Sequence, residues 1–198
     1  MNVFFVLISV VICSIFFAIT SDKIKVFFKE KKKEPERLNN ETKTMDMGKV
    51  TGTKDLFLDT LSKIGCQYEL SEEDKDRIFF AYQGENFIAD ATNEGWYVHV
   101  LDLGWEHVEL YDVDEFSRLR KAINKSNLNC STMTVYTIDR ESGNVDVHCK
   151  AAILFIPQIP EIENYLRGEL NDFFQAHLNV RNEMERQRQE ELNVRKTV

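Results

Sequence analysis

The chain has 198 residues and a net charge of −8, with hydrophobic residues at 43% and charged residues at 29%. That length holds one ordinary domain plus a tether and leaves no room for two full domains. The charge is uneven: residues 1–50 carry nine Lys/Arg against six Asp/Glu and residues 51–198 carry 16 against 27, so the acidic body repels phosphate backbones and nucleic acid is excluded as its partner.

From Val3 to Ile19 there is no charged residue. Residues 2–20 as a helix would extend about 29 Å, the thickness of a hydrocarbon core of about 30 Å, which predicts one transmembrane helix over 2–20. A cleaved signal peptide is the alternative, but it wants a basic leader and a small-residue cleavage site, whereas only Met1 and Asn2 precede the apolar run and Ala18-Ile19-Thr20 is a poor site. Lys23, Lys25, Lys29, Lys31, Lys32 and Lys33 follow at once. Basic flanks stay in the cytoplasm, so the C-terminal part is expected there, in a single-pass membrane protein. Membrane lipid is the expected partner of residues 2–33, the lysines lying at the headgroups or serving simply as a stop-transfer flank. Residues 21–53 read as a basic juxtamembrane segment and linker, with Pro35, Gly48 and Gly52 and no steady apolar period.

Leu56, Phe57, Leu61 and Ile64 recur at helical spacing before Gly65, which predicts a helix over Lys54–Ile64. Arg77–Tyr82 and Phe87–Ala91 flank the turn cluster 83–86 and predict a hairpin. Trp96–Leu103 is the third strand of the meander, with Trp105–Leu110 continuing it beyond a bulge or bend at Gly104. Asp112 and Glu115 have capping-box spacing ahead of an apolar stripe of Phe116, Leu119 and Ile123, which predicts a second helix. Thr132–Ile138 and Val145–Ile156 form a second hairpin about residues 140–144. Pro157 and Pro160 then open a third helix, whose stripe is Ile162, Leu166, Leu170, Phe173, His177 and Val180. From Arg181 onward charge dominates, and residues 181–198 are expected to project into solvent or fray as a charged helix end or tail.

The sum is an α+β domain over residues 54–180, a five-stranded antiparallel sheet with helices in the order α-β-β-β-α-β-β-α, preceded by one transmembrane helix. That order, the phrase RIFFAYQGENFIADA, the Trp96 strand and the helix-hairpin-helix ending resemble the type III secretion chaperone-like fold, in its bacterial YbjN-like branch. The resemblance covers roughly residues 54–180. It implies dimerisation and capture of extended polypeptide along sheet or helix surfaces.

No catalytic, cofactor-binding or metal-binding signature is present. His99, Asp102, Glu106 and His107 lie close in sequence, but an unbent strand holds the two histidines about 27 Å apart. His148 and Cys149 are strand neighbours and point to opposite faces. Cys13, Cys66, Cys130 and Cys149 contain no CxxC pair and read as reduced small hydrophobes. Trp96, Tyr97, Trp105, Tyr111 and Phe116 crowd the third strand, as core or, for Trp96, Tyr97, Trp105 and Tyr111 above all, as an exposed binding surface for a protein or peptide. The expected function is a membrane-tethered, non-enzymatic protein-binding or chaperone-like module facing the cytoplasm, taking a protein segment or pairing with itself. An enzyme with a dispersed site and a structural subunit of a membrane complex are the alternatives.

Overall fold

The computed structural model describes residues 52–197. Helix α1 (Thr53–Lys63) is followed by strands β1 (Tyr68–Leu70), β2 (Arg77–Tyr82), β3 (Glu85–Asp90) and β4 (Tyr97–Glu109), helix α2 (Val113–Asn127), strands β5 (Met133–Asp139) and β6 (Asn144–Leu154), and helix α3 (Ile162–Thr197). The strands make one sheet, antiparallel throughout, in the order β1-β2-β3-β4-β6-β5.

Two parts of the expected architecture are overturned. The sheet has six strands, not five, because β1 pairs with β2 through Tyr68↔Phe80 and Leu70↔Ile78. Three residues are too few to display a period of two, so β1 exists only through its partner. Second, no helix among the described residues is long and apolar enough to cross a membrane. Helix α3 has the length, about 54 Å, but carries charged residues throughout. The transmembrane helix expected over residues 2–20 and the lysines from Lys23 to Lys33 lie outside the described residues.

Local chemistry explains most element ends. Gln83 and Gly84 take φ of 49° and 89°, and Tyr82 pairs with Glu85. This two-residue turn with positive φ at both positions matches the strand twist, and β3 therefore starts before Phe87. Asp112 caps α2 by accepting the Glu115 N–H at 2.9 Å, while the Glu115 carboxylate turns to Arg118 at 2.6 Å and to Arg188. Half of the capping box is thus given over to joining helices. Pro157 and Pro160 fall in the turns ahead of α3 rather than in its first turn.

All three helices pack on one face of the sheet. Phe57 and Leu61 of α1 and Leu166, Leu170 and Phe173 of α3 close over Ile78, Phe87, Val98 and Ile153. Edge-to-face ring pairs, Phe57 with Phe155 at 5.4 Å and Phe87 with Phe173 at 5.3 Å, fix the depth of this layer. A second cluster joins Leu119, Ala122 and Ile123 of α2 to Val145 and Val147 of β6 and to Val180 and Met184 of α3.

The charged end of α3 does not stand away from the domain. Glu183, Met184 and Gln187 are buried, and the helix is tied to α2 by Lys125–Glu183 and Arg118–Glu191, each at 2.6 Å. The i,i+4 charge pattern that reads as a solvated face supplies, on one side, the partners of a second helix. Hydrogen bonds from Arg186 and Lys125 lower the Glu183 carboxyl to about 2. Its folded-state value lies below the ordinary one, so its stabilisation is complete above about pH 4.5 and is lost as pH falls toward 2. Glu183→Gln is expected to cost about 1 kcal/mol at pH 7, since both cations are half exposed and regain water, and to flatten the acid limb of the unfolding curve followed by circular dichroism.

Candidate functional site

The aromatic residues that the sequence singles out do not form one surface. Trp96 and Tyr97 are exposed at the start of β4 and Tyr111 beyond its end, on the order of 40 Å along the strand. Trp105 is half buried against both core clusters and stacks on His177 at 4.1 Å, with the Arg181 guanidinium 5.2 Å from its ring. It is a wall of the core.

What sends Trp105 there is a break in the ladder between β4 and β6. Asp102 pairs with Cys149 and Glu106 with Val147, so β4 carries two residues more than its partner, and Gly104 takes φ of 66°. An insertion of two preserves face alternation, and Val98, Val100, Asp102 and Val108 all turn to the helices. Asp102 is therefore buried. Its Oδ2 lies 2.8 Å from Nε2 of buried His177, close enough for an ion pair but off the line of a well-directed hydrogen bond. Beside it the Cys149 thiol lies 3.4 Å from Thr134 Oγ1.

On the opposite face His148 is buried as well. Its Nδ1 accepts the Gly104 N–H at 2.9 Å and its Nε2 meets Thr137 Oγ1 at 2.7 Å. Alternation thus separates His148 from Cys149, and the imidazole pins the bulge. His99 and His107 are exposed on either side of the break. Among the described residues no group of three or more His, Cys, Asp or Glu side chains is placed to hold a metal ion. A shallow open groove between the start of α2 and the end of α3 is lined by Asp114, Glu190, Glu191, Val194 and Arg195.

Cys149 with Asp102 and His177 has the composition of a nucleophile, base and orienting acid, but not the electrostatics. Burial pushes the Cys149 thiol up to about 12, whereas a nucleophilic cysteine needs its thiolate near neutral pH. The chemistry this cluster performs is cohesion between sheet and α3.

The other feature is the free margin of the sheet. One margin is β1, only three residues long with Glu69 at its centre, blunted against further pairing. The other is β5, seven residues without Pro or Lys. Thr134 gives its N–H to Asn127 Oδ1 at 2.8 Å and takes Asn127 Nδ2 on its carbonyl at 2.9 Å. The Thr134 backbone therefore faces away from β6, and by strand alternation so do those of Tyr136 and Ile138. Their side chains are 36% and 45% exposed. Phe116 of α2 meets the Tyr136 ring edge-on at 5.4 Å, and Arg120 lies 6.0 Å from the Phe116 ring. Phe116 thus stands beside the β5 margin, and Asn127 occupies the outward backbone groups of Thr134.

Sequence reasoning named the strand but not its position at the margin, and it missed Phe116, Asn127, Tyr136 and Ile138 as a group. The alternation of Thr132–Ile138 was visible, whereas marginal position is a property of sheet order. Comparison with protein-family models, with curated proteins and with solved structures finds no match.

His177→Ala is expected to destabilise the domain by about 3 kcal/mol by leaving a buried carboxylate without its partner, with the double variant Asp102→Ala/His177→Ala costing less than the sum of the two singles in urea unfolding. Cys149 is expected to resist iodoacetamide at pH 8 in the folded protein and to react once urea unfolds it, read by mass spectrometry of tryptic peptides.

Proposed function

We propose that this domain is a non-enzymatic polypeptide-binding module whose binding device is the β5 margin. The observation that carries the reading is the outward-facing backbone of Tyr136 and Ile138 beside their own exposed side chains and the Phe116 wall. An added strand gains main-chain hydrogen bonds there, while side chains on its helix-facing side meet Phe116, Arg120 and Tyr136. Main-chain pairing supplies affinity with little demand on sequence, and the flanking Phe116 and Tyr136 rings supply preference. The thiol at about 12 supports a binder over a cysteine-dependent catalyst. The resemblance to the type III secretion chaperone-like fold, with its implied capture of extended polypeptide, favours the same reading. The residues that carry this reading all lie within α2 and β5.

Peptides selected by phage display on the wild-type protein provide the test. Ile138→Lys is expected to weaken their binding at least tenfold in fluorescence anisotropy without lowering the melting temperature, because that side chain is exposed. Trp96→Ala and Tyr111→Ala are expected to leave binding unchanged. Selected peptides that bind the Ile138→Lys protein as well as wild type would place the binding surface elsewhere.

A further inference from the structure

We infer that His148 is a proton-operated latch on the β4 bulge: the neutral ring holds Gly104 in place and the protonated ring releases it. The inference does not depend on what the β5 margin binds. The two contacts of the ring fix where its proton sits. Nδ1 accepts the Gly104 N–H at 2.9 Å, so the single proton of the neutral imidazole is on Nε2, which donates to Thr137 Oγ1 at 2.7 Å. A second proton has only Nδ1 to bind, and there it opposes the Gly104 N–H, donor against donor. Imidazolium and the Gly104 hydrogen bond therefore exclude each other. The ring is 1% exposed, so water does not replace the lost contact while the bulge stays closed. Gly104 takes φ of 66° in the stretch where β4 carries two residues more than β6, and no β6 residue is in register with it. Its position depends on the imidazole.

Once protonated, the ring has another partner on its own strand. Asp146 lies two residues before His148 on the same face, about 7 Å along β6, and a carboxylate is the strong acceptor for an imidazolium. Lys150 flanks His148 on the other side. On β4 the titratable side chains of this face are His107, opposite Asp146, then Glu109 and His99 further along. On β5 it is Asp139, which already accepts the Glu141 and Ser142 N–H groups in the turn. Beneath the bulge, in the helix layer, Asp102 meets His177 and Glu106 meets Arg181, and His177 and Arg181 lie against Trp105. The strand pleat separates these from the His148 ring. Because the released form binds one proton more than the latched form, the latch is closed above the ordinary imidazole range and lost as pH falls through it.

The test is nuclear magnetic resonance on the full chain, with nitrogen-15 in its eight glycines and four histidines. At about pH 7.5 the His148 ring nitrogens are expected to report the neutral Nε2–H tautomer, and at about pH 5.5, below the ordinary histidine value near 6.5, the imidazolium. With one proton taken up per opening, exchange protection of the Gly104 amide, corrected for its intrinsic rate, should fall about tenfold per pH unit below that value. Circular dichroism should show the domain still folded. His148→Asn sets an acceptor that does not titrate near the place of Nδ1, and Gly104 protection should then be independent of pH. Asp146→Asn should move the midpoint to lower pH, whereas His107→Gln should leave it in place. Protection that falls equally in the His148→Asn protein assigns the response to the Asp102 and His177 side and overturns the inference. A wild-type ring that stays neutral at about pH 5.5, or one that takes its second proton with Gly104 protection unchanged, overturns it as well. Should His148→Asn fail to fold, the wild-type titration decides: ring protonation and loss of Gly104 protection at one midpoint support the latch, and separate midpoints overturn it.

Discussion

The pairing of β4 with β6 carries the rest of the molecule. It joins the meander formed by β1 to β4 to the hairpin of β5 and β6, with registers running from Tyr97↔Leu154 to Glu109↔Asn144. It is also where the ladder is interrupted. An insertion of two residues keeps each apolar side chain facing the helices, whereas an insertion of one would have sent Val108 to the opposite face. The space opened by the interruption is filled by Trp105 from above and held by His148 from the other side.

Polar groups buried beside that interruption need partners in the helix layer, and α3 brings them. His177 reaches Asp102, and Arg181 reaches both Trp105 and Glu106. The same helix then runs on along α2, where Glu183 and Glu191 meet Lys125 and Arg118. One continuous element thus clamps both core clusters and the connection between them. Removing either member of a buried pair is costly because the survivor is left dry.

The margins of the sheet are treated unequally. β1 is cut short and carries a carboxylate, whereas β5 is longer, neutral over Tyr136 and Ile138, and flanked by the Phe116 ring of α2. Unblunted margins invite pairing. Asn127 limits that invitation by standing in for a strand at Thr134, which turns a general liability into a short and defined stretch.

The amino-acid sequence alone determined the three helices of the described domain, both hairpins, the bend at Gly104 and the cap at Asp112, because periodicity, turn glycines and capping residues act within a few neighbours along the chain. It also separated His148 from Cys149 by simple alternation. Only the tertiary structure decided that Tyr68–Leu70 is a strand, that the charged end of α3 lies on α2, that Asp102 is buried and that β5 stands at the margin. Each of those depends on which distant segment lies alongside: a three-residue strand has no pattern of its own, a charged stripe reads the same facing water or facing a second helix, and sheet order leaves no trace in the residues of any single strand.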